Sequence, residues 1–279
     1  MKKLLILLAI VFLLFACDFD TSRVERIPVS GEIVQTEMYL DDFNEIFIAG
    51  PVDLVIKQDG GNGLQVNTYE SIMDLFRVEV IHDVLFLYIE DTSKASKINI
   101  DFEIPGIDNM PLYSYMSGSK FKWPGNDKVL DVVLSVDDLV KISVYGESTI
   151  KTVGKYKGEN LIVNVAGAVH LDAEFELKTL DVDLAGAGNL KLSGKAEYFE
   201  IDCAGAGNIK AYNFIADSVD LEIAGVCNAH VHAVESIVAE VAGMGTIKYM
   251  GNPSNISYEK AGIGSLKQVE SVETEENEI

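Results

Sequence analysis

Three sets of residues in this 279-residue chain are of types that do chemistry: a histidine pair, a series of regularly spaced carboxylates, and a cysteine behind an apolar leader. His230 and His232 stand two apart in Cys227-Asn-Ala-His230-Val-His232. On a strand they point to one outward face, where two imidazoles could chelate a transition metal. Cys227 falls in a turn, and no third ligand is spaced to join them. Exposed imidazoles in an otherwise basic column are the simpler reading. Asp183, Asp202, Glu222, Glu240 and Glu259 recur at a near-constant interval. Glycoside chemistry needs two carboxyl groups converging on one bond. One carboxylate per repeat predicts a solvated, salt-screened column instead, with neither calcium nor catalysis. No nucleophile elbow, phosphate loop or zinc signature occurs, so no cofactor and no catalytic residue is expected.

Cys17 carries the most specific signal. Lys2-Lys3 is followed by thirteen apolar residues, Leu4 to Ala16, and then Cys17. A basic start with so short an apolar run is a secretory signal; a membrane span needs about twenty apolar residues. Leu14-Phe-Ala-Cys17 has the form of a bacterial lipobox, which predicts cleavage after residue 16 and lipidation at Cys17. Two acyl chains hold a protein stably on a membrane. Removing residues 1–16 takes Lys2 and Lys3 from 22 basic residues and leaves 44 acidic ones, so the mature formal charge is 20 − 44 = −24. So acidic a chain repels nucleic acid and anionic lipid. The expected partners are the membrane through the lipid, and a protein or glycan ligand.

The elements that position these residues are written as a repeat. Between Val144 and Lys267 one short pattern occurs seven times, with first glycines at Gly146, Gly167, Gly186, Gly205, Gly225, Gly243 and Gly262. The steps are 21, 19, 19, 20, 18 and 19 residues, the signature of a solenoid. Two residues before each glycine stand Val144, Val165, Leu184, Cys203, Ile223, Val241 and Lys260; four before stand Ile142, Val163, Val182, Ile201, Leu221, Ala239 and Tyr258. The acidic series lies between these columns. That alternation predicts a strand with one buried face. After the glycine, an inward column (Ile150, Leu171, Leu190, Ile209, Ala229, Ile247, Leu266) precedes an outward one with Lys151, Lys191, Lys210, Lys248 and Lys267. Glycine at the corner permits positive φ and close approach of stacked backbones. Asn189, Asn208 and Asn228 share a column and are expected to ladder along the corner. The fold class is therefore all-β, a single-stranded parallel β-helix with about 19–20 residues per coil.

These corners, above all Gly188-Asn189-Leu190 and Gly207-Asn208-Ile209, resemble the auto-transporter adhesin head GIN domain family of Bacteroidetes-type surface proteins. Gly245-Thr246-Ile247 and Gly264-Ser265-Leu266 follow the same triplet more loosely, and Ile46–Lys57 looks like the family's opening strand pair. The resemblance covers residues 39–268 and implies a right-handed parallel β-helix. It supplies no ligand and no catalytic residues.

The expected organisation is a signal peptide over 1–16, a polar tether over 17–38, a β-solenoid over 39–268 and an acidic disordered tail over 269–279. Within the solenoid, residues 39–137 read as irregular N-terminal coils and 138–268 as regular repeats; a separate β-sandwich for the first part is the alternative. Strands are expected at Ile46–Lys57, Leu64–Tyr69, Val78–Ile89 and Ile98–Ile104, with a short helix over Ser71–Arg77. Met116-Ser-Gly-Ser-Lys-Phe121 reads as a degenerate corner, and Lys260 in the core column marks the end of the stack. Cys203 and Cys227 sit at −2 and +2 from their glycines. Measured along a flat ladder they are on the order of 10 Å apart, which predicts unpaired thiols. The functional expectation is a lipid-anchored, outer-membrane β-solenoid, surface-exposed and non-enzymatic, binding protein or glycan. A carbohydrate-active enzyme on the same scaffold and a structural spacer are the alternatives.

Overall fold

A computed structural model describes residues 27–90, 121–122, 124 and 129–270. The signal peptide, Cys17, residues 18–26 of the tether, the strand expected at Ile98–Ile104, the degenerate corner apart from Phe121 and nearly all of the acidic tail lie outside the described residues. Residues 33–38, expected as tether, are strand instead, paired along their length with residues 64–69. The described chain is a β-solenoid, almost entirely strand. It divides into two compact units, Met1–Val153 with Ala166–Val169, and Gly154–Val165 with His170–Ile279.

The first unit carries β1 (Ile27–Pro28), β2 (Ile33–Tyr39), β3 (Glu45–Ala49), β4 (Asp53–Gln58), β5 (Gly63–Tyr69), α1 (Glu70–Met73), β6 (Phe76–Ile81), β7 (Val84–Ile89), β8 (Phe121–Lys122), β9 (Leu130–Val136), β10 (Lys141–Tyr145) and most of β11 (Glu147–Lys157). The stretch expected as Ile46–Lys57 is two strands broken at Gly50-Pro51-Val52, because Gly50 takes φ 131°. The stretch expected as Val78–Ile89 is an antiparallel hairpin, turned by His82 and Asp83 at φ 50° and 63°. The expected helix is shorter and starts one residue earlier, at Glu70.

Stacking in this unit does not follow chain order. β3 lies between β7 and β10, and β4 between β9 and β11, all in parallel register. The coil 45–58 therefore stacks directly on 141–152, with Ile46 beside Ile142 and Asp53 beside Thr149. Beyond β7 and β9 the sheet turns antiparallel: β6 pairs with β7, while β5 pairs with β9 and β2. These strands take up the backbone groups that an open parallel edge would leave for another chain. Phe47 packs at 5.3 Å from Phe86 and at 5.0 Å from Tyr145, over Ala49 and Val84.

The second unit is the regular stack: β12 (Asn160–Val165), β13 (Ala168–Glu176, its first two residues in the first unit), β14 (Thr179–Leu184), β15 (Ala187–Cys203), β16 (Ala206–Ile223), β17 (Val226–Val241), β18 (Met244–Met250), β19 (Asn255–Lys260) and β20 (Ile263–Gln268). β15, β16 and β17 each run from one coil into the next without a break. Identical positions align one coil apart. Leu161, Leu180, Phe199, Val219 and Ile237 form one buried ladder, and Val163, Val182, Ile201, Leu221 and Ala239 another. Each full burial of such a side chain contributes about 1.5–3 kcal/mol, and no coil achieves it alone. Phe199 meets Phe214 edge-on at 4.9 Å.

Candidate binding face

The glycine corner gathers the functional candidates, and its shape follows from backbone contact. The N–H groups of Ala206, Val226, Met244 and Ile263 donate to the carbonyls of Gly186, Gly205, Gly225 and Gly243, at 2.8–2.9 Å. Those carbonyls stand where a side chain would be. A Cβ on Gly205, Gly225, Gly243 or Gly262 would lie 1.9–2.0 Å from the oxygen of the glycine one coil before. Among the seven repeat glycines only Gly146 has a positive φ. Close approach, rather than the left-handed conformation also expected at these positions, is what excludes other residues from the later corners.

Outside the corner runs a narrow apolar ridge. Ala206, Val226, Met244 and Ile263 succeed one another in register. The last three are 50%, 51% and 76% exposed. On the far side of the ridge lies the polar column. Asn208 Nδ2 donates to Asn189 Oδ1 at 3.3 Å, and Asn228, Thr246 and Ser265 continue the line. Lys191, Lys210, His230, Lys248 and Lys267 stack next, with Lys191 also 3.1 Å from Asp172.

The arm before the corner is acidic, and more so than expected. Asn164, Asp183, Asp202, Glu222, Glu240 and Glu259 align one coil apart. A second column, Asp181, Glu200 and Asp220, stands two residues upstream on the same face. The expectation of one carboxylate per coil overlooked this column, because residues i and i+2 share a strand face. At the centre, Asp202 Oδ1 is buried with no hydrogen-bond partner. Burial first, then Glu222, Asp183, Glu200 and Asp181, raises the Asp202 carboxyl to about 7. Burial alone raises Asp181.

His230 and His232 do face the same way, but Tyr212 engages both. His230 stacks on its ring at 4.8 Å and 8°, and His232 Nδ1 lies 3.3 Å from its carbonyl oxygen. Among the described residues, no group of three His, Cys, Asp or Glu is arranged to hold a metal.

Inside the corner, Cys203 and Cys227 are unpaired and 1% exposed. The flat-ladder count does not describe how their sulfurs meet. The register is the expected one, with Gly207 beside Cys227, but the chain bends at Gly205. Positions −2 and +2 therefore face each other across the interior, and both sulfurs border one point beside Gly207, 2.9 Å and 3.0 Å from where its Cβ would lie.

Over residues 42–253 the chain matches the family described as "Putative auto-transporter adhesin, head GIN domain". The chain belongs to this head GIN family. A putative adhesin from Bacteroides fragilis NCTC 9343 is 26% identical and superposes with a TM-score of 0.72, covering 87% of this chain and 100% of that one. Two proteins from Parabacteroides distasonis ATCC 8503 share the head GIN fold at lower identity. One, described as a putative lipid binding protein, is 22% identical with a TM-score of 0.62 over 88% of this chain and 99% of its own. The other, described as a putative adhesin, is 18% identical with a TM-score of 0.61 over 88% and 100%. No curated protein matches the chain.

Proposed function

We propose that this head GIN protein is a lipid-anchored, non-enzymatic component of the cell envelope that binds a protein or glycan along its corner face. One observation carries the reading: the acidic columns, apolar ridge and Asn/Lys columns repeat in register over successive coils. A face with a period of about 4.8 Å suits an extended, repetitive ligand better than a single small molecule. The Bacteroides fragilis relative, called a putative adhesin, supports the same reading. Glycan and surface-protein arrays probed with the protein test it. Met244→Glu, which charges the middle of the ridge, should lower binding at least tenfold while leaving the circular dichroism spectrum unchanged. Equal binding by parent and variant would overturn the ridge as the binding face.

The membrane anchor is Cys17 in this proposal. Metabolic labelling with a palmitate analogue should mark the wild type and not Cys17→Ala; equal labelling of both would end the idea. Protease shaving of intact cells then distinguishes surface display from a periplasmic location.

A carbohydrate-active enzyme is the second reading, and Asp202 is the observation that favours it. A carboxyl group held protonated to about pH 7 beside Glu200 and Glu222 has the properties of a general acid. Glycan hydrolysis that Asp202→Asn abolishes would establish that reading in place of simple binding.

A further inference from the structure

The interior of the corners at Gly186 and Gly243 follows one rule, a large residue opposite a small one. A Cβ on Gly188 would meet Leu184 Cδ1 at 2.8 Å, and one on Gly245 would meet Val241 Cγ1 at 3.4 Å. Cys203 and Gly207 break this rule, since both are small. Cys227, one coil further on and in register with Gly207, leans into the space. A Cβ on Gly207 would lie 2.9 Å from Cys227 Sγ and 3.0 Å from Cys203 Sγ, so both sulfurs border the same point. Glycine at 207 is what lets them meet.

We propose that Cys203 and Cys227 are a disulfide site: when the chain folds in the presence of a disulfide oxidant, they join two consecutive coils across the inside of the corner. The oxidant is a small-molecule or protein disulfide. One of the two cysteine thiolates attacks one of its sulfurs, forming a mixed disulfide and expelling one thiolate. The other cysteine thiolate then attacks the sulfur of the first and expels the second. Two protons and two electrons leave the cysteines, and the oxidant is reduced to two thiols.

Burial sets the timing. At 1% exposure neither sulfur is open to an oxidant in the finished stack, so exchange takes place before the coil containing Cys227 closes over its neighbour. The bond would close a loop of about one coil and so restrict the unfolded chain. The bond lies inside the stack and forms whatever the outer face binds.

The test uses the full chain with Cys17→Ser in detergent, so that the third cysteine cannot compete. The protein is unfolded, refolded in reduced and oxidised glutathione, and mapped without reductant by mass spectrometry. The expected product is a Cys203–Cys227 cross-linked peptide, lighter by two hydrogens than its separate parts. The oxidised form should melt roughly 5–10 °C above the reduced form. Cys203→Val, which places the residue of neighbouring coils in the same column, should abolish that redox-dependent difference. Recovery of both cysteines as free thiols or as separate glutathione adducts, in a chain that circular dichroism shows refolded, overturns the proposal. So does a cross-linked form that melts below the reduced one.

Discussion

Asp202 and the corner glycines show how stacking changes what a residue is. An isolated aspartate ionises near 3.8, but in the stack Asp202 is part-buried among four carboxylates and titrates near 7. The folded chain thus keeps a proton that the unfolded chain gives up. Below about pH 4 both states hold it, and above about pH 7 neither does. Stability should therefore fall as pH rises through that window and level off above it. Asp202→Asn should flatten the fall and raise Tm at about pH 8, which thermal melts across the range will read. A slope shared by parent and variant would place the titrating group elsewhere. Gly225 offers a steric counterpart. A Cβ there would fall 1.9 Å from the Gly205 carbonyl, a backbone atom that cannot turn aside. Gly225→Ala should cost about 3 kcal/mol. Gly63→Ala, where nothing lies within 4 Å, should change stability by less than about 1 kcal/mol in either direction. Denaturant unfolding of the two variants compares them directly.

At the scale of the element, each coil is held by its two neighbours. Phe199 is 1% exposed, aligned between Leu180 and Val219, and in edge contact with Phe214. Phe199→Ala should cost about 3–5 kcal/mol. The damage should be local, because in a stack the energy is mainly nearest-neighbour. Hydrogen exchange should accelerate over residues 179–223 and much less over 255–268. Uniform acceleration would show instead that the coils of this unit unfold as one block. In the first unit the antiparallel strands β5 and β6 do what a terminal repeat does in other solenoids, occupying the edges of β9 and β7.

At the scale of the whole molecule the dominant quantity is charge. The full chain carries −22, and paired acidic columns run along one arm of the corner. Stacked like charges repel, and mobile ions screen them. Tm should rise similarly in sodium chloride and in calcium chloride of matched ionic strength. A large rise at sub-millimolar calcium, absent with magnesium and lost in Asp202→Asn, would make the columns a metal site.

The repeat is legible in the chain alone: its period, its inward columns and the register of every corner from Gly186 to Gly262. Stacked coils bury residues that recur at fixed spacing, so periodicity is written directly in the chain. The family was legible for the same reason, in the Gly-Asn-Leu and Gly-Asn-Ile triplets. Contacts that join residues distant in sequence were not. The coil 45–58 stacks on 141–152 across an insertion that no periodicity spans, although Ile46 and Ile48 stand four and two residues before Gly50 as Ile142 and Val144 do before Gly146. The second acidic column was legible too, though it was overlooked: the alternation that buries Val182 puts Asp181 on the same outward face as Asp183. The meeting of Cys203 and Cys227 depended on a bend. Distance along a strand can be counted from residue numbers, whereas distance across a corner is set by how far the backbone turns, and packing against the coils on either side decides that.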